Sequence, residues 1–302
     1  KIRLSQQVDT NLSPMSFKIR SQDKDTGIIF SGIPGGHEFT SLILAILQSG
    51  GSELKLDPGI QNIIKAIKQP LKFETFVSLS CHNCPDVVQA LNQFALLNDN
   101  ISNEMIDGGV FQDMINERNI QGVPAVYLNG KPFANGKIDT AKLIEKLQQQ
   151  YPDLMSAAAA AEQLEQQDVT IIGGGPAGVA AAIYVARKGL KVTMVADRIG
   201  GQVKDTQDIE NLISIPLTNG NELSANFVKH ITAYSITVKE MVSVTSITEN
   251  SAQMNEQGED KLTYQITLNT GESFSTRAII VATGAKWRKL NIKRSEERRV
   301  GK

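Results

Sequence analysis

The sequence predicts an α/β protein in two parts. A pair of successive strand–hairpin–helix units comes first, and a βαβ unit wrapped around a glycine-rich turn follows a helical connector. Three observations carry this reading. Both cysteines of the 302-residue chain stand three positions apart in FVSLSCHNCPDVVQALNQF, where a β-prone run gives way to helical spacing. A Val-Pro step and an Asn-Gly hairpin signal come after that helix. Further on, G-x-G-x-x-G stands directly between a strand of buried type and a helix of small residues.

Bulk properties narrow the classes. Hydrophobic residues make up 41% and charged residues 21%, as in ordinary globular protein. A net charge of -1 with no basic face argues against a nucleic-acid partner. The longest strongly apolar run, Leu42 to Leu47, falls far short of the roughly 20 residues a membrane span needs, so no membrane is expected. Two cysteines at this spacing are not a secreted disulfide framework, and a cytoplasmic location is expected. Because the chain opens on Lys1 rather than Met, its true amino terminus is expected to be missing.

Phe73, Phe76 and Val77 predict a strand; Val87, Val88, Leu91, Phe94 and Ala95 recur as one face of a helix. Cys81 therefore falls at the strand-to-helix turn and Cys84 in the first helical turn, with Pro85 tolerated there. Unpaired N–H groups and the helix dipole at such an end favour a thiolate. Cys81 is then the attacking nucleophile and Cys84 the thiol that resolves the mixed disulfide. Half a zinc site is the alternative, but zinc wants four ligands and only His37, His82 and His230 are available. Two unrelated buried cysteines are the other. His82 either tunes the pair or is an exposed spacer.

In the order strand, C-x-x-C helix, strand, helix, then Gly122-Val123-Pro124 and a hairpin at Asn129-Gly130, residues 70–149 resemble a thioredoxin-like domain. The resemblance implies that the Val123–Pro124 bond is cis and that Pro124 packs beside the disulfide. Residues 14–49 echo residues 124–149. Pro14 to Ile19 and Ile28 to Phe30 stand for the hairpin, and Thr40 to Gln48 for the closing helix that Thr140, Leu143, Ile144 and Leu147 form in the second unit. The first unit has no cysteine. Tandem thioredoxin-like units, the first truncated and redox-silent, are expected over residues 1–149. Glu38, at a helix start in that first unit, is either a helix-favouring acid or a proton-handling group facing Cys81 and Cys84.

Residues 150–167 are rich in helix formers and poor in large apolar residues, which predicts a connector. Val169 to Ile172 then reads as a strand, and Gly173, Gly175 and Gly178 follow at the G-x-G-x-x-G spacing, with Pro176 and Ala177 between the last two. Gly173 permits the tight turn, Gly175 lets backbone approach a pyrophosphate, and Gly178 lets helix and strand close up. Val192 to Val195 forms the next strand, and Asp197 at its end can hold a ribose hydroxyl while repelling a 2′-phosphate.

Gly200-Gly201-Gln202, Asp208 to Asn211, and a strand Ala278 to Ala282 ending in Thr283-Gly284-Ala285 resemble thioredoxin reductase-like flavoproteins, a class of pyridine nucleotide-disulfide oxidoreductases. The resemblance implies FAD held by Gly173, Gly175, Pro176, Ala177, Gly178 and Asp197, with Gly201, Gln202, Asn211, Thr283 and Gly284 near it. The fold class is therefore α/β, tandem thioredoxin-like units followed by an incomplete Rossmann-like FAD-binding domain over 168–292. Together the two halves are similar to the flavoprotein components of peroxide-reducing systems.

That similarity implies a relay from NADH or NADPH through FAD and a flavin-adjacent dithiol to Cys81 and Cys84. From there electrons pass to the disulfide of a peroxiredoxin-type peroxidase that reduces alkyl hydroperoxides. It implies a homodimer for the intact protein. The chain has no second C-x-x-C and no second glycine-rich nucleotide motif, so residues 1–302 alone are expected not to oxidise NADH. Residues 293–302, strongly charged and without apolar periodicity, are expected to be an atypical tail. A free-standing dithiol–disulfide oxidoreductase and a non-redox nucleotide-binding module are the competing classes.

Overall fold

The computed structural model describes residues 12–22, 24–151, 164–254 and 260–285. Their contacts divide into two compact units. One holds Ile67–Ile138 with the described residues up to Lys55; the other holds Leu56–Ala66 with the described residues from Asp139 onward.

The first unit is built on strands β1 (Ser16–Ser21), β2 (Lys24–Ser31), β3 (Leu71–Val77), β4 (Ile101–Asp107), β5 (Ala125–Leu128) and β6 (Lys131–Asn135). They form a single sheet in the order β1-β2-β4-β3-β5-β6. The hairpins β1–β2 and β5–β6 are antiparallel, while β4 runs parallel to both β2 and β3. The two echoing segments thus share one sheet, because β2 pairs with β4 as well as with β1. The central strand β3 is buried at every position but Lys72, the pattern of a strand covered on both faces. Asn129 and Gly130 turn the β5–β6 hairpin with φ of 50° and 77°, both in the left-handed region an Asn-Gly turn supplies. Each hairpin follows a proline, since Pro14 and Pro124 stand just ahead of β1 and β5 and lack the N–H a ladder needs.

Helix α1 (Phe39–Ser49) and helix α3 (Cys84–Leu97) belong to this unit, with the short α4 (Gln112–Glu117). Helix α3 buries Val87, Val88, Leu91, Phe94 and Ala95, the spacing that predicts it. Between them in sequence, α2 (Pro58–Lys65) starts where Asp57 accepts a hydrogen bond from the Gly59 N–H at 2.8 Å, with Pro58 at its first position. Helix α5 (Thr140–Gln150) is capped in the same way by Asp139 on the Lys142 N–H at 2.9 Å. Most of the connector, residues 152–163, and the tail, residues 293–302, lie outside the described residues.

The second sheet contains β7 (Gln167–Ile172), β8 (Val192–Ala196), β9 (Ile236–Glu240), β10 (Val244–Met254), β11 (Asp260–Leu268) and β12 (Ser273–Val281). Its order is β10-β11-β12-β7-β8-β9. Strands β12, β7, β8 and β9 are parallel, and β10–β11–β12 is an antiparallel meander. Helices α6 (Pro176–Arg187) and α7 (Gly220–Thr232) make the crossovers. Val169, Ile171, Val192 and Met194 pack on Val179, Ala182 and Ile183 of α6 as one core. The chain steps from β7 to β8 to β9 on one side, while β12 lies on the other side of β7. That reversal is a topological switch point, the place where open sheets of this kind take ligands beyond the carboxyl ends of their strands.

Candidate functional site

The disulfide sits at the end of β3. After Val77 the chain turns through residues 78–83, and α3 starts at Cys84 with Pro85 in its first turn. Cys84 is thus the first helical residue, and Cys81 lies in the turn before it, its N–H donating to the Ser78 carbonyl at 2.9 Å. The two are disulfide-bonded with Cα atoms 5.5 Å apart. Cys84 is fully buried while Cys81 is 8% exposed, so Cys81 is the more accessible of the two. The Val123–Pro124 bond is cis, and the Val123 carbonyl oxygen stands 3.8 Å from Cys81 Sγ. Pro124 is therefore beside the pair.

Gly36 and His37 reach this loop, and Glu38 follows them. Gly36 takes φ +52°, and the space a Cβ would fill there is occupied by the Leu79 carbonyl. The His37 N–H donates to that same carbonyl at 3.0 Å. Glu38 is 0% exposed, and neither carboxylate oxygen is in good hydrogen-bonding geometry with a neighbour. Burial pushes its carboxyl up to about 7; the Ser41 hydroxyl pulls it partly back, and the negative charge of Asp86 on α3 pushes it further up. The Gln89 amide donates to Ser41 Oγ at 3.2 Å, which leaves the Ser41 hydroxyl hydrogen for Glu38. An exposed helix-start acid would not titrate there. Glu38 is thus a buried acid that senses Asp86 in the first turn of α3.

The second unit assembles a phosphate cradle from glycines. Gly173, at φ +122°, lies so close to the Ala282 carbonyl that no side chain fits, and a Cβ on Gly178 would strike the Gly173 carbonyl. Gly175 is different: nothing lies within 4 Å of where its Cβ would be. It is also the N-cap of α6, and no side chain caps that end. Open space above an uncapped helix amino terminus suits an anion, so the residues present fit a dinucleotide pyrophosphate. The Gly200 N–H donates to the Gly174 carbonyl at 2.8 Å, and Gly201 packs on Gly175, which brings the Gly-Gly-Gln turn to the cradle.

Asp197 closes β8, its carbonyl accepting from the Met241 N–H at 3.2 Å. Thr283 and Gly284 follow β12, whose next residue, Ala282, donates its N–H to the Ile172 carbonyl at 2.8 Å. Asn211 is exposed on the excursion between the Ile209–Thr218 and Leu212–Ile215 bridges; among the described residues no hydrogen bond joins it to the glycine turn.

Two contributors have no motif of their own. A Cβ on Gly174 would stand 2.6 Å from the Arg198 carbonyl oxygen and 2.7 Å from Ala196 Cβ, so this third glycine is as constrained as its neighbours. Glu240, from β9, accepts the Ile199 N–H at 2.9 Å and holds the loop that presents Gly200 and Gly201. The run of three glycines in the sequence was the available signal for the first; nothing local marks the second. Among the described residues, no group of three or more His, Cys, Asp or Glu side chains is arranged to hold a metal ion, and no helix is long and apolar enough to cross a membrane.

Comparison with known proteins agrees with both halves. Residues 167–302 match the family model for pyridine nucleotide-disulphide oxidoreductases, and residues 71–149 match that for a thioredoxin domain. The chain is 44% identical over 282 residues to the F subunit of an alkyl hydroperoxide reductase from Staphylococcus aureus, covering 93% of this chain and 52% of that protein. It is 40% identical over 294 residues to a protein of Bacillus subtilis named NADH dehydrogenase, covering 97% of this chain and 54% of that one. A solved structure of the F subunit of Enterococcus faecalis alkylhydroperoxide reductase is 37% identical, with a TM-score of 0.43 over 45% of this chain and 66% of that chain. The chain spans about half the length of the curated relatives it matches. By the sequence matches the chain belongs to the family of alkyl hydroperoxide reductase F subunits, among the pyridine nucleotide-disulphide oxidoreductases.

Proposed function

We propose that the chain is the disulfide-reducing part of a flavin-dependent reductase that passes electrons from NADH or NADPH to the disulfide of a peroxiredoxin-type peroxidase. The observation that carries this is the Cys81–Cys84 pair set beside a cis proline, with the more accessible sulfur at Cys81. Gly173, Gly175, Pro176, Ala177, Gly178 and Asp197 would hold FAD, with Gly201, Gln202, Thr283 and Gly284 around it, and a bound flavin would supply electrons two at a time.

The chain's own residues divide the exchange chemistry. In the dithiol form, the Cys81 thiolate attacks one sulfur of the partner's disulfide, and the other partner sulfur leaves as a thiolate. Cys84 then loses its proton and attacks Cys81 Sγ, which restores the Cys81–Cys84 bond and frees the second partner thiol. Glu38 takes the Cys84 proton, since an acid near 7 is matched to neutral operation. Pro124 shapes the face by which the partner approaches Cys81. Asp197 favours an unphosphorylated ribose.

The test uses the purified chain reduced with a small dithiol. It should reduce a protein disulfide, and Cys81→Ser should abolish that. FAD titration of the intact reductase should give a bound flavin spectrum that Cys81→Ser leaves unchanged, while residues 1–302 alone are expected to hold flavin weakly. An inactive dithiol form would remove the reductase reading, and no flavin binding at all would remove the cofactor assignment.

A further inference from the structure

His37 and His82 come from different parts of the first unit, forty-five positions apart in sequence, yet their rings meet with centroids 4.2 Å apart at a tilt of 44°. Both residues are exposed. His82 is one of the two residues between the cysteines, so whatever restrains it restrains the loop that carries both sulfurs. The same turn that brings His37 is fixed from below: Gly36 abuts the Leu79 carbonyl, and the His37 N–H is hydrogen-bonded to it at 3.0 Å. The next residue, Glu38, is buried against α3. A cysteine-free arm thus grips the middle of the redox loop from outside while it places an acid inside.

A turn of four residues whose two middle members are exposed must lose backbone and side-chain freedom to bring its end sulfurs into bonding distance. A ring held against His82 removes part of that freedom beforehand, and pre-ordering raises the effective concentration of one sulfur at the other. We propose that His37 is a positioning residue, whose ring contact with His82 pre-orders the Cys81–Cys84 loop for closure into its disulfide. It touches neither sulfur and acts through His82. This rests on the dithiol–disulfide reading above and assigns part of that chemistry to the cysteine-free arm of the same unit.

The consequence is an equilibrium one. In glutathione buffers, the protein dithiol gives two electrons to glutathione disulfide, forming the Cys81–Cys84 bond and two molecules of glutathione. The constant for this exchange should fall about twofold to tenfold in His37→Ala, the range a contact between two rings supplies. His37→Phe, which keeps a ring, should return it to within about twofold of wild type. His82→Ala should lower it as His37→Ala does. The double variant should be no lower than His82→Ala alone, because the two side chains act as one contact. The His37 backbone bond to Leu79 survives in all of these, so a general loosening of the arm would not give this pattern. Urea unfolding midpoints measured alongside report the fold, and His82→Ala tests the same contact from the other side.

A wild-type constant in His37→Ala overturns the proposal, as do effects of His37→Ala and His82→Ala that multiply in the double variant. Failure of His37→Phe to restore the constant overturns it too. Those outcomes leave the reductase reading intact. If wild type itself forms no internal disulfide in these buffers, the reductase reading falls, and this inference falls with it.

Discussion

Replacing Glu38 by Gln should reveal a pH-dependent penalty that wild type carries alone. The Glu38 carboxyl is 0% exposed, and burial raises it from 4.5 to about 7. In the unfolded chain it ionises near its ordinary value. Between those two values the unfolded state has released the proton and the folded state still holds it, so stability falls as pH rises. Its contribution is fully present below about 4.5 and is lost once pH has passed about 7. A tenfold change in an ionisation constant corresponds to about 1.4 kcal/mol, so the rise at Glu38 amounts to about 3 kcal/mol in all. Glutamine keeps the size and polarity of the side chain without titrating, so every other group cancels in the comparison.

The assay is urea unfolding of the oxidised protein, followed on the transition of the first sheet, at intervals from pH 4 to 9. The difference between Glu38→Gln and wild type should move toward the variant by about 3 kcal/mol across this window. At a slope of roughly 2 kcal/mol/M, this is roughly 1.5 M in the relative midpoint. A difference that stays flat from pH 4.5 to 8, or that moves toward wild type, would refute the claim that the folded protein holds this carboxyl neutral. Glu38 would then be an ordinary ionised carboxylate, too weak a base to be matched to the Cys84 proton near neutrality.

Other outcomes follow from the same geometry. With Cys84→Ser, a partner disulfide should be trapped as a stable mixed disulfide through Cys81, seen as a reducible adduct by mass spectrometry; trapping only through Cys84 in Cys81→Ser would reverse the roles. Gly178→Ala should cost about 2 kcal/mol or more in unfolding experiments, because its methyl would meet the Gly173 carbonyl. Gly175→Ala, with nothing within 4 Å, should unfold within about 0.5 kcal/mol of wild type and yet bind FAD more weakly. Asp197→Ala should retain less FAD on gel filtration while leaving dithiol activity unchanged; equal flavin content would count against the ribose contact.

Features that depend on neighbours a few residues apart were legible along the chain. The C-x-x-C step at a strand-to-helix turn, the Asn129-Gly130 hairpin, and the glycine spacing at Gly173, Gly175 and Gly178 are demands of local backbone geometry, and each stands where its signal lies. Other features exist only in the folded molecule. One residue type at a helix start could be a plain helix-favouring acid or a buried acid; burial against α3, from the other half of the sheet, settles that Glu38 is buried. The same holds for Val123 beside Cys81, His37 against His82, and Glu240 holding the Ile199 loop. Each pair lies about forty residues or more apart, and the joining of β2 to β4 brings two segments with no shared local signal into one sheet. Spacing along a chain encodes dihedral preferences within a turn or two, whereas desolvation and contact between distant segments exist only once the sheet order brings them together.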